Sequence, residues 1–224
     1  MRGRLVAVSG TGTSIGKTHF AEALLGALQR ALPRVVGIKP VETGVLDVLV
    51  SDSERLRRAS SFHVKQSGYV FTQAISPHLA AREAGRPIDV GVIRSIVEQV
   101  RAETDLTLVE FAGGLFTPLS ESTLNIDLMR QLKPDFSVLV APDRLGVLHD
   151  VLAATRAAES LGTALSAVVA MAPETADGST GRNILELLLF IRNVTLLELP
   201  RGAPGELAEN RALIAMARAI ASEE

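Results

Sequence analysis

The chain has 224 residues, 47% of them hydrophobic and 4% aromatic, with a formal net charge of -2. That length suits a single α/β domain over residues 1–224 with a large aliphatic core. The balanced charge leaves no basic footprint for nucleic acid or a membrane surface, and the absence of cysteine excludes disulfides, thiolate metal sites and cysteine nucleophiles while fitting a reducing cytoplasm.

From the N-terminus, an apolar run predicts a strand over Leu5–Ser9, too short for a signal peptide, which runs into Gly10-Thr11-Gly12-Thr13-Ser14-Ile15-Gly16-Lys17-Thr18 and then a helix over Lys17–Ala31. Strand, glycine-rich turn and helix in this order make an anion cradle. Backbone N–H groups converge on a concavity, and the helix points its positive end at the same place. Lys17 adds a mobile charge for the outer phosphates and Thr18 a hydroxyl for Mg²⁺. The usual pattern is a glycine, four residues and Gly-Lys-Ser/Thr. Here the nearest glycine is Gly10, so the loop is one residue too long. Residues Gly12, Thr13, Ser14, Ile15, Gly16, Lys17 and Thr18 are the candidate binders of a nucleoside triphosphate with Mg²⁺.

Further strands are expected over Val35–Lys39, Leu106–Glu110, Ser137–Ala141, Ala167–Ala170 and Thr195–Leu199. Further helices are expected over Asp52–Ser60, Pro77–Ala84, Asp89–Glu103, Ile126–Leu132, Leu148–Leu161, Asn183–Ile191 and Gly205–Ser222. The strands are rich in Val, Leu and Ile with little polar alternation, as strands covered on both faces are. Their alternation with helices gives a mostly parallel sheet with helices on both faces, a three-layer α/β/α domain like the phosphate-loop NTPases.

In such a sheet, ligands bind at the carboxyl ends of the strands, and polar residues gather there. Lys39 ends the second strand before Pro40; it either aims its ammonium at a phosphoryl group or substrate carboxylate, or snorkels to solvent. Glu110 ends the strand Leu106–Val109 as a second metal-shell carboxylate or as an acid reaching water. Asp52 opens a helix, as its cap or as a third oxygen ligand beside Thr18 and Glu110. Gly113-Gly114 allows close approach of a ligand or a tight turn, and Leu145-Gly146 opens a helix whose free N–H groups suit an anion. His149 assists there or is solvated, and Ser76-Pro77-His78 caps the start of another helix.

As a set, these residues resemble the dethiobiotin synthetase family. The matches are Gly10-Thr11-Gly12-Thr13-x-x-Gly16-Lys17-Thr18 with its long loop, Lys39-Pro40-Val41-x-Thr43-Gly44, Ser51-Asp52, Ser76-Pro77-His78, and Gly85-Arg86-Pro87-Ile88. They continue with Val109-Glu110-x-Ala112-Gly113-Gly114, Phe116-Thr117-Pro118-Leu119 and Leu145-Gly146-x-x-His149, in family order over roughly residues 5 to 150. The resemblance implies an ATP- and Mg²⁺-dependent reaction of 7,8-diaminopelargonic acid with CO₂ or bicarbonate in a homodimer. It implies catalytic roles for Lys17, Lys39 and Thr43, a metal site of Thr18, Asp52 and Glu110, and nucleotide contacts extending to Glu110 and Met171. Substrate contacts are implied at Lys39, Thr43, Gly113, Leu145, Gly146 and His149, the last three reached across a subunit interface. Three positions depart from the family: Ser14 where some members have glutamate, Phe111 where a glycine stands beside the metal acid, and Met171 where an asparagine often reads the adenine edge.

Other readings of the first loop are a partitioning or positioning ATPase, an amidotransferase-type synthetase, and a family member that binds nucleotide without making dethiobiotin. The first usually carries an extra lysine early in the loop and often a basic membrane helix at its end, whereas this chain has no lysine over Gly10–Ser14 and ends in Ser222-Glu223-Glu224. The second usually needs a cysteine nucleophile.

Overall fold

The fold is described from a computed structural model covering residues 2–64 and 68–222. Glu223 and Glu224 lie outside the described residues. The main sheet has six parallel strands in the order β2 (Val35–Ile38), β5 (Leu106–Glu110), β1 (Arg4–Gly10), β6 (Phe136–Pro142), β7 (Ala167–Met171) and β8 (Thr195–Leu199). All six are the expected strands, with ends shifted by a residue at most. A second, two-stranded parallel sheet pairs β3 (Val41–Thr43) with β4 (Tyr69–Phe71). These strands were not foreseen, because three residues are too few to show a period.

Side-chain alternation along the strands divides the core in two. Leu5 and Ala7 of β1 face one side, joined by Val109 of β5, Leu139 of β6 and residues of α4 (Val90–Glu103), α5 (Asn125–Leu132) and α6 (Val147–Ser160). Val6 and Val8 face the other side, where they meet Phe20, Leu24 and Leu25 of α1 (Lys17–Leu28), Leu56 of α2 (Asp52–Ala59) and Leu213 of α9 (Arg211–Ala221). A parallel sheet needs helical cover on both faces, and the three-layer arrangement supplies it.

Three helices differ from the sequence expectation: the expected Lys17–Ala31 helix ends at Leu28, and two others differ more. The expected Gly205–Ser222 helix is broken into α8 (Pro204–Leu207) and α9. Asn210 accepts from the N–H groups of Ala212 and Leu213, so it starts a new helix instead of continuing the old one. The expected Asn183–Ile191 helix is regular only over α7 (Asn183–Leu187), after which the chain turns. The remaining helix, α3 (Pro77–Glu83), has proline at its first position, as expected from Ser76-Pro77.

The strand order explains where a ligand can sit. The chain goes from β1 to the β5–β2 side and only later to the β6 side, so β1 is the point where the winding reverses. Its carboxyl end opens a crevice between diverging connections, and the glycine-rich loop lies there.

Candidate active site

The loop after β1 is built by backbone geometry. Gly16 caps α1 with φ 94°, a left-handed conformation that a side chain would strain, and a Cβ there would stand 3.4 Å from Met171 Cγ. The N–H of Thr11 donates to the carbonyl of Val140 (3.0 Å), and the N–H of Leu115 to that of Gly10 (2.8 Å), which pins the loop between β6 and the segment after β5. Lys17 is buried, and its Nζ donates to the carbonyl of Gly12 at 2.6 Å across the mouth of the loop.

Four elements converge on Glu110, the last residue of β5, which is fully buried. Lys39, just past β2, donates from Nζ to Glu110 Oε1 (2.8 Å) and to Asp52 Oδ2 (2.5 Å). Thr18 of α1 donates from Oγ1 to the same Glu110 Oε1 at 2.9 Å. Among the described residues, Glu110 Oε2 is buried without a hydrogen-bond partner. Ser51, not Asp52, caps α2 by accepting from the N–H of Glu54, so the Asp52 carboxylate is free to turn toward Lys39. The capping alternative for Asp52 is thereby set aside.

Burial works against the Lys39 charge, but Glu110 and Asp52 outweigh it, so its pKa stands above the ordinary lysine value. Burial, with the nearby Asp52 charge, pushes the Glu110 carboxyl above its ordinary value, and Lys39 and Thr18 pull against that rise without cancelling it. We take Glu110 as ionised, because both donors end on Oε1 and a proton there would leave the buried ammonium poorly matched. Burial opposes the Asp52 charge as well, yet the attraction and hydrogen bond of Lys39 hold its carboxyl below the usual range. Burial brings the Lys17 ammonium down to about 8, against the pull of Glu110 and with repulsion from Lys39.

These side chains wall a cavity of about 880 Å³ that also takes in Thr43, Gly44, Ser76, Gly113 and Thr117. A second cleft of about 530 Å³ lies on the other side of the loop and is lined by Met171, Pro173, Glu174 and Arg201. The two share Thr13, Ser14, Ile15, Gly16 and His19, so one ligand can lie across the loop with parts in both. Gly113 has φ 70°, and a Cβ there would stand 2.5 Å from Thr117 Oγ1, so its glycine is needed for the turn as well as for the open wall.

The structure thus brings together Lys17, Thr18, Lys39, Thr43, Asp52, Glu110 and Gly113. It does not bring Leu145, Gly146 or His149 into that cavity. His149 lines a separate cleft beside Thr11, Gly12 and Phe116, and Leu145 is 81% exposed. The N–H of Leu145, expected to be free for an anion, already donates to Asp177 Oδ2 at 2.8 Å. That hydrogen bond, with others from Ser179, holds the Asp177 carboxyl at about 2. Phe111 does not crowd the entrance: it is buried on the α4–α5 side of the sheet, opposite the face that Glu110 shares with α1. Its position is a matter of strand parity, since successive residues face opposite sides.

Two residues that the sequence reading passed over support the site. Glu42 is buried on β3 and accepts from the N–H groups of Asp52 (2.6 Å) and Ser53 (3.1 Å), fixing the start of α2. Arg55 lines the cavity, grips Glu22 of α1 from Nη2 at 2.5 Å and stands 3.6 Å from Asp52. A buried acid inside Lys39-Pro40-Val41-Glu42-Thr43, in an apolar setting, was the available signal for the first. The second had none beyond its helical spacing from Asp52.

A divalent cation fits these residues. Thr18, Asp52 and Glu110 offer hard oxygen donors, and Glu110 Oε2 is a buried acceptor without a partner among the described residues. Among the described residues no three His, Asp or Glu side chains gather as a metal cluster. A cation held by two carboxylates and a hydroxyl would complete its shell with water and phosphate, as Mg²⁺ commonly does.

A family model described as an AAA domain matches residues 4–203. The chain is 36% identical over 170 residues to the ATP-dependent dethiobiotin synthetase BioD of Aromatoleum aromaticum, which covers 73% of this chain and 75% of that protein. It is 33% identical over 194 residues to the protein of the same name from Nitrosospira multiformis, covering 85% and 81%. Among solved structures it is similar to the septum site-determining protein MinD of Pyrococcus horikoshii, in complex with Mg-ADP (TM-score 0.59, 16% identity, 97% of this chain and 95% of that one). A ParA family ATPase from Chlorobium tepidum is similar to the same degree (TM-score 0.57, 13% identity, 97% and 98%). The structural likenesses carry the parallel α/β fold. Among the described residues no helix is long and apolar enough to cross a membrane.

The lowered Lys17 value predicts a pH effect. The ammonium is charged below about 8 and neutral above, so affinity for a nucleoside diphosphate falls as pH rises through that value. Calorimetric titration across the range checks it, and a flat profile contradicts it. The ligand-free protein shows the opposite trend. Between about 8 and 10.5 the unfolded chain keeps a proton that the folded chain has shed, so stability rises with pH.

Proposed function

The chain belongs to the dethiobiotin synthetase family, and on that premise we propose that it is an ATP-dependent ligase that closes a ureido ring on 7,8-diaminopelargonic acid with CO₂. One amine of the diamine takes up CO₂ to give a carbamate and releases a proton. A carbamate oxygen attacks the γ-phosphorus of ATP and expels ADP, giving a carbamic-phosphoric anhydride. The second amine then attacks the carbonyl carbon, and phosphate leaves as the ring closes. The observation that carries this reading is the placement of Lys39 and Thr43 in the same cavity as Lys17 and Thr18, so that a carbamate and a γ-phosphoryl group can meet there.

In this reading Lys17 balances charge on the transferring phosphoryl group, and the N–H groups of the Gly12–Thr18 loop hold the phosphates. Lys39 and Thr43 orient the carbamate oxygen in line with the phosphorus, so most of the rate comes from positioning and charge stabilisation. Mg²⁺, when bound, supplies charge neutralisation on the phosphate oxygens, and Thr18, Asp52 and Glu110 would hold it. The cleft at Met171 receives the base. Methionine lacks the paired donor and acceptor with which an amide reads an adenine edge, so the base is held by stacking and backbone contacts.

We propose that the protein acts as a homodimer in the cytoplasm. Leu145, Gly146 and His149 lie outside the cavity of their own chain, and the exposure of Leu145 suits a contact with substrate bound in a second copy. Asp177 would have to give up the Leu145 N–H for a substrate carboxylate to take it.

Phosphate release from ATP with Mg²⁺ and bicarbonate, measured with and without 7,8-diaminopelargonic acid, tests the function. Release that depends on the diamine is the expected outcome, and a rate indifferent to it overturns the ligase reading. Lys39→Ala is expected to lower the diamine-dependent rate about a hundredfold or more, as removal of a group aimed at developing charge does. In the same assay ATP, GTP, CTP and UTP are expected to support rates within about tenfold of one another, because no side-chain amide discriminates the base at Met171. A strong preference for ATP contradicts that assignment.

A further inference from the structure

Lys39 and the cation of the proposed reaction need the same oxygens. The Lys39 ammonium already lies on Asp52 Oδ2 (2.5 Å) and Glu110 Oε1 (2.8 Å), and Thr18 Oγ1, the hydroxyl assigned to the cation, ends on that same Glu110 oxygen. The lysine side chain is 8% exposed, so it is lodged between the two carboxylates and not merely near them. A divalent cation and an ammonium repel; the cation balances both carboxylates by itself, whereas the single ammonium balances only one of the two charges. Lys39 lies in the wall of the cavity that Thr43, Gly113 and Thr117 also line.

We propose that Lys39 is a stand-in for the divalent cation, holding Asp52 and Glu110 until the metal–nucleotide enters and releases the ammonium toward the carbamate. The inference rests on the ligase reading and deepens it. Lys39 is available to the carbamate only after the cation has taken its place, so metal–nucleotide and carbamate bind cooperatively and each raises the affinity for the other. A premature reaction is discouraged because one lysine serves first as a counter-ion and then as a substrate ligand.

The test is binding of Mn²⁺ alone to the nucleotide-free, full-length protein, followed by the electron paramagnetic resonance signal of the free ion. Lys39→Met removes the competing charge and is expected to tighten Mn²⁺ binding about tenfold or more. Equal or weaker binding overturns the competition and leaves the ligase reading standing, since that reading is judged by diamine-dependent phosphate release. No binding to either protein overturns both the competition and the metal assignment. Because Lys39→Met leaves the buried Glu110 without its ammonium and risks misfolding, the unsubstituted protein gives a second readout. Acetylation of Lys39 by acetic anhydride, read by mass spectrometry, is expected to rise about fivefold on adding Mn²⁺ as the amine is released. An unchanged or slower acetylation overturns the proposal.

Discussion

A carboxylate with no exposed surface, Glu110, sits at the end of the central strand pair, and the arrangement around it follows from the need to compensate its charge. An unpaired ion in that position costs several kcal/mol. The chain answers with Lys39 from the end of β2 and Thr18 from the first turn of α1, and Asp52 from α2 shares the lysine. One buried negative charge thus fixes four segments relative to each other at the carboxyl edge of the sheet. Glu42 and Arg55 extend the constraint outward: the first pins the start of α2, the second ties α2 to α1 through Glu22. The same carboxylates that a reaction would use for a cation are the ones that hold the ligand-free site together.

The sheet supplies the position and the loop supplies the anion cradle. Reversal of winding at β1 opens the crevice, and the long loop from Gly10 to Gly16 fills its floor with cavities on both sides. The solved structures with this fold that are similar to the chain include MinD and ParA proteins at 16% and 13% identity, so the scaffold does not by itself select a reaction. The difference lies in what is set opposite the loop. Lys39, Thr43 and Ser76 face it across the larger cavity, and Thr43 belongs to the small second sheet that the main sheet does not need.

Much of this was legible in the sequence for a physical reason. Buried parallel strands are unbroken apolar runs, so all six appeared with nearly correct ends, and a polar residue that ends such a run stands at the ligand edge, which is how Lys39 and Glu110 were found. What failed depended on direction and partner choice. Phe111 was set beside the metal acid by adjacency in sequence, although a one-residue step along a strand crosses the sheet. Leu145 was read as offering a free N–H, but Asp177, 32 residues further on, occupies it. Asn210 was buried in a continuous helical pattern, although its side chain favours a fresh start. Glu42 stands in the Lys39–Thr43 run, but its role is set by partners, the N–H groups of Asp52 and Ser53, that come from a helix start only the fold brings to it.

The coupling between Glu110 and Lys39 is the interaction on which the site depends most directly. A double-mutant cycle of Glu110→Gln and Lys39→Met, with stability measured by denaturant unfolding at neutral pH, isolates it. Lys39→Met leaves the buried Glu110 charge with only the Thr18 hydroxyl and is predicted to cost about 3 kcal/mol or more. Glu110→Gln costs less because Lys39 keeps Asp52, and the double variant recovers a large part of the lysine loss, giving a coupling of about 2 kcal/mol or more. Additive effects, with the double variant as unstable as the sum of the singles, would contradict the claim that this buried pair organises the site.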